Sequence, residues 1–465
     1  MKSVVLMWWA VAALGGLSAV AAEDKPGTNL VFIMTDDQGA WSLGCYGNAE
    51  ARTPVVDRLA AEGIRFRRAF ATIPVCSPSR ATFLTGRIPS QHGIHDWIKH
   101  DNMGERARYA LSGEVLLSDV LADAGYTCGL VGKWHLGDSL HPHAKFSYWF
   151  ALPQGSGTYN DAPMCWQGEV NKVPGYITDR ITDHALKFME ANRAKPFFLF
   201  VAYSAPHSPW VGHPQDLVDE YMKCPFSSIP KEPPHPWISS NENLLGSKPT
   251  LAQYFAAVSG VDRGVERIMK GLDELKLADR TLVVYTSDQG FNVGHHGLWG
   301  KGNASNPRNM YDTSMQVPLI FRQPGRVPKG AESDVLFSAY DFVPTVLDYM
   351  GLPPSTGRNL PGHSLAAVIR GQKADGSADA VFGEYGRARM IRTDRYKLVH
   401  RSDGGPDELY DLQADPGEKA NLAGDATYHK LYVELRARIF KWFEQYVEAG
   451  RDPVGQEYLR PADRK

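Results

Sequence analysis

Cysteine is scarce in this sequence, and neither sign of charge dominates it. The chain has 465 residues and only five cysteines, too few for a fold that depends on a disulfide framework. The formal net charge at pH 7 is -2, so no overall positive field would draw the chain to nucleic acid or to an anionic membrane. Any affinity for an anionic ligand must therefore come from a local cluster of cationic side chains.

Long apolar runs are also missing beyond the N-terminus. Residues 4–20 are mostly apolar, follow a basic residue and end at the small residues 19–22, a pattern typical of a secretory signal peptide. Glycine and serine interrupt this short run, which argues against a membrane anchor. We therefore predict a signal peptide over residues 1–22, no stable membrane insertion, and export to the periplasm or the extracellular space.

The central part of the chain alternates between two patterns. Apolar runs rich in β-branched and aromatic residues occur at 30–34, 127–131, 197–201 and 281–285, and helical patterns occur at 55–62, 116–124, 177–192 and 252–275. Apolar runs without alternation predict strands that are buried on both faces, as in a parallel sheet. The pattern therefore predicts a large layered α/β domain over 23–378, with a mostly parallel central sheet flanked by helices.

The pattern changes near residue 379. Short strand patterns separated by tight turns occur at 380–384, 388–392, 396–400 and 408–410, and an amphipathic helical pattern covers 429–447. Closely spaced strands favour antiparallel pairing. We therefore predict a C-terminal α+β subdomain over 379–465, in which a terminal helix packs on a small antiparallel sheet.

Polar side chains follow each of the predicted central strands. They are Asp36 and Asp37, Lys133 and His135, His207, and Asp288 and Gln289. Open α/β sheets place ligands at the carboxyl ends of their strands. We therefore expect these side chains to converge at one edge of the sheet although they lie far apart in the chain.

The oxygen donors in this set predict a divalent cation. They are the carboxylates of Asp36, Asp37 and Asp288 and the amide oxygen of Gln289. Oxygen ligands suit Ca²⁺ or Mg²⁺, and Ca²⁺ accepts more ligands and looser geometry, so Ca²⁺ is the prediction and Mg²⁺ the alternative. Glutamine is a poor zinc ligand, although His295 and His296 nearby keep a zinc site open.

Residues 76–87 read CSPSRATFLTGR. This stretch resembles the signature of the formylglycine-dependent sulfatases of the alkaline-phosphatase-like superfamily. Residues 392–398 and 408–416 resemble the C-terminal subdomain of the same family. The resemblance implies that a formylglycine-generating or sulfatase-maturing enzyme converts Cys76 to formylglycine (3-oxoalanine) in the unfolded chain, and that this residue also contacts the metal. The other four cysteines leave one or two disulfides open.

The resemblance implies a sulfatase that acts on a sulfated carbohydrate, since exported members of the family often desulfate polysaccharides. One hydroxyl of the hydrated formylglycine would attack sulfur, and the second would then expel sulfate and restore the aldehyde. Two alternatives stay open. One is a phosphoesterase or phosphonate hydrolase on the same scaffold, and the other is an unmatured protein that only binds sulfated glycans.

The remaining catalytic roles also follow from the resemblance. Arg80, Lys133 and Lys301 are expected to stabilise the charge that develops on the sulfate ester. Arg80 comes four residues after Cys76, so a helix that begins at the motif would place both on one face. His207 is the candidate general acid for the leaving alcohol, and His135 would orient the hydrate and take its proton.

The substrate pocket is expected to draw on residues after the motif and in two long loops, 208–249 and 294–308, because long connections are often functional. The candidates are His92, His95, Asp96, Trp97, Trp210, His296 and Arg308. Tryptophan suits stacking on a sugar ring, and arginine suits a carboxylate.

Overall fold

The computed structural model describes residues 27–354, 358–373, 378–402 and 404–454. The predicted signal peptide lies outside these residues. Within the described ranges, no helix combines the length and the apolar character that a membrane span requires. Every cysteine falls within the described ranges, and each is a free thiol there.

The strands are β1 Asn29–Thr35, β2 Ile64–Phe66, β3 Ala69–Phe70, β4 Thr127–Gly132, β5 Tyr148–Ala151, β6 Pro163–Trp166, β7 Glu169–Lys172, β8 Phe197–Ala202, β9 Thr281–Ser287, β10 Asn292–Val293, β11 Trp299–Gly300, β12 Gln316–Val317, β13 Leu319–Arg322, β14 Ala331–Ser333, β15 Phe337–Ser338, β16 Ala380–Tyr385, β17 Ala388–Thr393, β18 Tyr396–Arg401 and β19 Glu408–Asp411. The α-helices are α1 Pro54–Ala61, α2 Cys76–Thr85, α3 Pro89–His92, α4 Leu117–Asp123, α5 Ile177–Ala191, α6 Gln215–Tyr221, α7 Lys248–Glu274, α8 Asp312–Met315, α9 Phe342–Tyr349, α10 Ala366–Ile369 and α11 His429–Tyr446. The predicted strands and helices of the central part all form, with ends shifted by a few residues.

One large mixed sheet has the strand order β14-β2-β13-β9-β1-β8-β4-β5-β6-β7. Its centre, from β9 to β5, is parallel, and Leu30 of β1 lies between Phe198 of β8 and Leu282 of β9. The antiparallel pairs lie on both sides of this centre, at β13 and at β6 and β7. The predicted fold class, a mostly parallel sheet flanked by helices with a small antiparallel sheet near the C-terminus, is confirmed.

Helices cover both faces of the sheet centre. On β1, Val31 packs in the hydrophobic cluster that contains Ile181 of α5 and Val261 of α7. Its neighbour Phe32 packs in the opposite cluster, with residues of α2 and α9, and both strand residues are fully buried. Because both faces are covered, the strand needs apolar side chains at every position, which explains the absence of alternation.

The C-terminal sheet has the order β16-β17-β18-β19 and is antiparallel throughout. Leu435, Ile439 and Phe443 recur at a helical spacing on α11 and pack in one cluster with Ile391 and Leu398 of the sheet. The predicted sheet and its terminal helix are therefore confirmed. One expectation needs correction, since 208–249 is not simply a loop but contains α6, whose Leu217 and Tyr221 are buried.

Candidate active site

The polar residues that follow the central strands meet at the carboxyl edge of the sheet. Asp36 follows β1 and pairs with Lys133, which follows β4; both side chains are fully buried. Asp37 Oδ1 accepts a hydrogen bond from Lys301 Nζ at 2.6 Å. The edge predicted from the sequence therefore exists, and its charges are buried and paired.

The carboxylates of Asp36, Asp37 and Asp288 form a compact acidic group. Each offers an oxygen within 4.8 Å of the others, and Asp36, Cys76 and His207 form a second group by the same measure. Burial, and then the charge of Asp36, raises the pKa of Asp288 to about 7. Carboxylates packed so closely repel one another unless a cation lies between them.

Two orphaned oxygens show that the donors fit such a cation. Asp36 Oδ1 and Gln289 Oε1 are buried and accept no hydrogen bond from the described part of the chain. Buried polar atoms without a partner are rare, and ligation of a cation would satisfy both. Carboxylate and amide oxygens are hard donors, so the set fits Ca²⁺ or Mg²⁺.

His295 and His296, which left a zinc site possible, pack against aromatic rings instead. His296 stacks on Tyr311 with ring centroids 3.7 Å apart, and His295 packs against Trp41 at 4.6 Å. Neither belongs to the acidic groups found among the described residues. The oxygen-rich set around Asp288 is therefore unlike the nitrogen and sulfur sites that zinc prefers.

Cys76 is the first residue of helix α2, so the motif does begin a helix. The helix N-terminus places the partial positive end of the helix dipole at this side chain. Lys301 Nζ lies 3.1 Å from Cys76 Sγ. Burial nevertheless outweighs the charges of Lys133 and Lys301 and raises the pKa of the thiol, so the site does not favour a thiolate nucleophile.

Arg80 lies one turn further along α2 and is completely buried. Its Nε donates to Asp288 Oδ2 at 2.9 Å, and its Nη1 donates to the carbonyl oxygen of Lys133 at 2.9 Å. Its Nη2 has no partner among the described residues. The guanidinium is therefore held by two partners, and one of its buried donor groups stays unpaired in the described part of the chain.

His135 is held by a backbone carbonyl. Its Nε2 lies 3.0 Å from the carbonyl oxygen of Ile98, and because a carbonyl only accepts, Nε2 carries the hydrogen. The lone pair is then on Nδ1, which is buried and has no partner in the described chain. Burial, and then the charge of Lys133, lowers the pKa of His135 well below its usual value, so the ring is a neutral proton acceptor.

His207 has the opposite arrangement. Its Nδ1 donates to the carbonyl oxygen of Ser208 at 2.8 Å, which leaves Nε2 as the titrating nitrogen, 3.7 Å from Asp37 Oδ2. Burial lowers the pKa of His207, although the carboxylates of Asp36 and Asp37 offset part of this effect. An anionic ligand beside Nε2 would raise it again.

Part of this site lines a cavity of about 610 Å³, whereas Asp36, Arg80, Asp288 and Gln289 lie behind its lining residues. We call its inner end the floor, formed by Asp37, Cys76, His135, His207 and Lys301. We call the remaining sides the wall, formed by Trp97, Ile98, Lys99, Gln154, Gly155, Ser156, Ser208, Trp210, Ser240, Asn241, Phe291, Gly300, Asn303 and Ala304. The volume suits a ligand of one or two sugar rings with several polar contacts.

The wall contains both predicted tryptophans. Trp97 is 39% exposed. Trp210 is held by a hydrogen bond from its Nε1 to the carbonyl oxygen of Pro206 at 3.1 Å and by an edge contact with Trp299 at 5.3 Å. An exposed ring and a fixed ring in one cavity suit contact with the apolar face of a sugar.

Asp96 and Arg308 lie beside the wall rather than in it. The hydroxyl of Tyr385 donates to Asp96 Oδ1 at 3.0 Å, and the guanidinium of Arg308 lies over the Tyr385 ring at 5.4 Å. Arg308 Nη1 also contacts the carbonyl oxygen of Asn303 at 3.3 Å. The pair therefore braces the outer edge of the cavity.

The three histidines predicted for the substrate pocket do not line this cavity. His92 is buried beside α2, with its Nε2 3.4 Å from Thr82 Oγ1. His95 Nε2 donates to the carbonyl oxygen of Arg451 at 2.6 Å. His296 borders a separate cavity with Glu418. Their types and positions in the sequence suggested a pocket, but the turns that follow α2 and β10 direct them into protein.

The two loops predicted to contribute to the pocket supply half of the wall, but most of the individual wall residues were not predicted. Gln154 and Ser156 lie outside the predicted loops, and Asn241 and Asn303 lie inside them but were not singled out, because polar residues in loops are usually solvated surface. Lys99 lies two residues after Trp97, a predicted pocket residue. Only the packing of loops from distant parts of the chain brings these residues together.

Two family models match this chain. The model described as sulfatase matches residues 28–352, and the model of the C-terminal region of N-sulphoglucosamine sulphohydrolase matches residues 294–445. The first covers the predicted metal donors and the motif at Cys76. The second covers the C-terminal sheet and α11.

Curated relatives extend over most of the chain. N-acetylglucosamine-6-O-sulfatase of Bacteroides thetaiotaomicron is 28% identical over 98% of this chain and 93% of its own. The ulvan-active sulfatase of Formosa agariphila is 28% identical over 95% of this chain and 86% of its own. N-acetylgalactosamine-6-sulfatase of Canis lupus familiaris is 30% identical over 78% of this chain and 70% of its own.

Solved structures share the fold of this chain. A protein in complex with its substrate D-glucosamine-2-N,6-O-disulfate superposes with a TM-score of 0.78 and 27% identity, over 92% of this chain and 99% of that one. The phosphonate monoester hydrolase of Agrobacterium radiobacter superposes with a TM-score of 0.72 over 90% of this chain and 96% of that one, but at 22% identity it shares the fold alone. The motif, the fold and the family model, which spans most of the chain, together establish that this protein belongs to the sulfatase family and is a sulfuric ester hydrolase.

Proposed function

We propose that this sulfatase removes sulfate from a sulfated carbohydrate, with formylglycine at position 76 and a Ca²⁺ ion at the floor of the cavity. One observation carries the proposal. Cys76 begins a buried helix beside the Asp36–Asp37–Asp288 group, with the Lys301 ammonium 3.1 Å from its sulfur. The closeness of these groups supports a site in which position 76 provides the nucleophile, the carboxylates bind the metal and Lys301 binds the anionic ester.

The carbohydrate substrate is supported by the relatives and by the wall. N-acetylglucosamine-6-O-sulfatase and the ulvan-active sulfatase are named for sulfated sugars, and a similar structure contains a sulfated glucosamine. The wall combines Trp97 and Trp210 with amide and hydroxyl side chains. Aromatic rings and amides are suited to the apolar face and the hydroxyls of a sugar.

The cation would be held by Asp36, Asp37, Asp288 and Gln289, with Mg²⁺ as the alternative to Ca²⁺. When bound, it would polarise the nucleophile and the sulfate oxygens. The formylglycine hydrate would supply one hydroxyl to attack sulfur and a second to expel sulfate. A plain cysteine or serine has no second hydroxyl for that step.

The cations of this chain hold the sulfate group. Lys301 bridges Asp37 and position 76, so its ammonium lies where an ester oxygen would approach the nucleophile. Arg80 keeps its Nη2 unpaired in the described part of the chain, and Lys133 neutralises Asp36. Fixed positive groups stabilise charge that develops in the transition state without reorganising during the reaction.

The two histidines of the floor divide the proton transfers. His135 is neutral with its lone pair on Nδ1, so it can accept the proton of the nucleophile. His207 presents Nε2, which would carry the proton delivered to the leaving oxygen. The charge of the bound sulfate would keep this imidazole protonated although burial lowers its pKa.

The same proposal includes what happens before catalysis. Residues 1–22 direct export to the periplasm or the extracellular space, and a maturing enzyme converts Cys76 before the chain folds. Conversion must precede folding because Cys76 is only 3% exposed in the folded protein. Residues 23–378 form the catalytic domain, and residues 379–465 form the C-terminal subdomain.

Ion chromatography of released anions tests the proposal. The protein is produced with a maturing enzyme, and conversion of Cys76 is verified by mass spectrometry. It is then incubated with a panel of sulfated glycans, phosphate monoesters and phosphonate monoesters. We expect sulfate release from at least one sulfated sugar. Faster phosphate or phosphonate hydrolysis would overturn the proposal, and so would binding of sulfated glycans without any release of sulfate.

A further inference from the structure

The wall has one charged side chain, Lys99. The other ionisable residues that line the cavity are Asp37, Cys76, His135, His207 and Lys301, and all of them belong to the floor. The rest of the wall consists of amides, hydroxyls, aromatic rings and small residues. A cation among neutral neighbours attracts an anion with little competition from carboxylates.

Lys99 also has no carboxylate partner among the described residues. The cation of the cavity edge, Arg308, has Asp96 at 3.7 Å and a tyrosine ring beneath it. The Lys99 ammonium instead lies over the ring of Trp97, with Nζ 5.0 Å from the ring centroid. A cation–π contact orients the ammonium but leaves its charge unneutralised.

The segment that carries Lys99 is tied directly to the floor. The amide of Ile98 donates to Ser77 Oγ at 3.1 Å, and its carbonyl oxygen accepts from His135 Nε2 at 3.0 Å. Ser77 adjoins Cys76 in helix α2. Since adjacent Cα atoms are about 3.8 Å apart, Lys99 is held next to the backbone that orients His135.

We propose that Lys99, oriented by Trp97, binds a second anionic group on the sugar, distinct from the sulfate that is removed. This inference rests on the proposed function, because it specifies the substrate as a carbohydrate with at least two anionic groups. The shared chemistry is an oxyanion within reach of an ammonium, which a second sulfate or the carboxylate of a uronic acid can supply. Substrates in which the cleaved sulfate is the only anionic group lack this contact.

Three sugars test the inference. They are D-glucosamine with only the 6-O-sulfate, D-glucosamine-2-N,6-O-disulfate, and the 6-O-sulfated sugar linked to a uronic acid. For each, sulfate release by the matured enzyme gives kcat/KM. We expect Lys99→Met to lower kcat/KM for at least one dianionic sugar about tenfold more than for the monosulfated one, the effect of one charge-assisted hydrogen bond.

Two further variants serve as controls. Lys99→Arg keeps the charge and should retain most of the preference for a dianionic sugar over the monosulfated one. Lys270→Met makes the same change in net charge at a lysine of α7 that is 74% exposed, and it should leave the preference at the wild-type ratio. The dianionic sugar whose kcat/KM falls more in Lys99→Met identifies the anionic group.

Binding separates this inference from the proposed function. Titration calorimetry with Cys76→Ala gives the Kd of each sugar without turnover, and the same titration is repeated with Lys99→Met in that background. A preference for a dianionic sugar that depends on Lys99 supports the inference even if no sulfate is released. Equal losses on all three sugars, or no effect of Lys99→Met on either Kd or kcat/KM, would overturn it.

Discussion

The floor and the wall of the cavity are built on opposite principles. Floor residues follow strands or begin a helix, and their charges are buried and paired, as Lys301 is with Asp37. Most wall residues come from loops, and Trp97 and Lys99 are exposed. Under the proposed function, the floor would meet the same sulfate ester in every substrate, whereas the wall would meet the part of the substrate that differs.

The floor and the wall also differ in backbone strain and in the stability that a substitution should cost. Asp37 and His135 hold left-handed backbone conformations, with φ of 66° and 59°, which non-glycine residues rarely adopt. Such positions cluster at functional sites, where the surrounding structure enforces them. Breaking one of the buried ion pairs of the floor would cost about 3–5 kcal/mol of stability. Substitutions in the exposed wall should cost far less, so they can change specificity without unfolding the protein.

The largest effect is expected from position 76. Cys76→Ala removes the residue that would become formylglycine, so turnover should fall at least about 10³-fold on every sulfate ester. The check is the rate of sulfate release by variant and wild type, both produced with a maturing enzyme. Cys224→Ala, which removes a cysteine remote from the cavity, should retain activity. Wild-type turnover by Cys76→Ala would show that the floor works by another route.

Metal removal comes next. A chelator should abolish sulfate release, and Ca²⁺ should restore it better than Mg²⁺. Ca²⁺ at 100 times its Kd should also raise the free energy of unfolding by about 2.7 kcal/mol, because only the folded state assembles the donors. Thermal denaturation with and without Ca²⁺ measures this. Gln289→Leu should reduce the stabilisation by Ca²⁺. Asp262→Asn is the control, because this buried carboxylate accepts hydrogen bonds from the amides of Val55 and Val56 and the stabilisation by Ca²⁺ should not change.

His207→Ala should separate leaving groups. Loss of the general acid should lower kcat about 10²-fold on sugar sulfates, whose alcohols leave poorly. Activated aryl sulfates need little protonation and should lose less. Kinetics on one substrate of each type provide the check, and His135→Ala is the comparison, because it acts on the nucleophile and should slow both types alike. Equal losses in His207→Ala would remove it from the leaving-group step.

The pH dependence of kcat/KM should also report on His207. An acid works only while it is protonated, so kcat/KM on sugar sulfates should fall as pH rises through the pKa of His207 in the free enzyme. Because burial lowers this pKa from 6.5, the decline should begin below that pH. In His207→Ala this limb should vanish from the profile. Its persistence would assign the limb to another group.

The smallest effect is expected from Arg451, which supports the segment that carries Trp97 but does not line the cavity. Arg451 Nη1 donates to the carbonyl oxygen of Gln91 and to Glu114 Oε1 at 2.6 Å, and its backbone holds His95, two residues before Trp97. Arg451→Ala should raise KM for a sulfated glycan about threefold with kcat unchanged, because half-exposed ion pairs contribute little. Arg451→Lys should restore KM. A fall in kcat instead would mean that this contact reaches the floor.

The sequence predicted the floor well for a physical reason. Asp36, Lys133 and Asp288 follow apolar runs that had to be buried strands, and parallel strands bring their carboxyl ends to one edge. The spacing between Cys76 and Arg80 equals one helical turn, so their shared face followed once the helix formed. The C-terminal strands and α11 were predictable because their periodicity is local.

The wall was not predictable in the same way. His92, His95 and His296 were expected in the pocket, yet turns after the helix and strand direct them elsewhere. Lys99 and Asn241 line the same cavity although about 140 residues separate them, and no local pattern predicts that they do. Helix α6 was overlooked because its short apolar face is surrounded by proline-rich sequence.

The sequence by itself determined the family, the alternation of strands and helices along the chain, and the polar residues that follow the central strands. These follow from local periodicity and from one motif, which depend only on neighbouring residues. Only the tertiary structure decided which histidines face the cavity, which oxygens are left without partners, and that a lone lysine stands in the wall. Those properties depend on how distant loops pack, and burial and pairing are set by that packing rather than by any stretch of sequence.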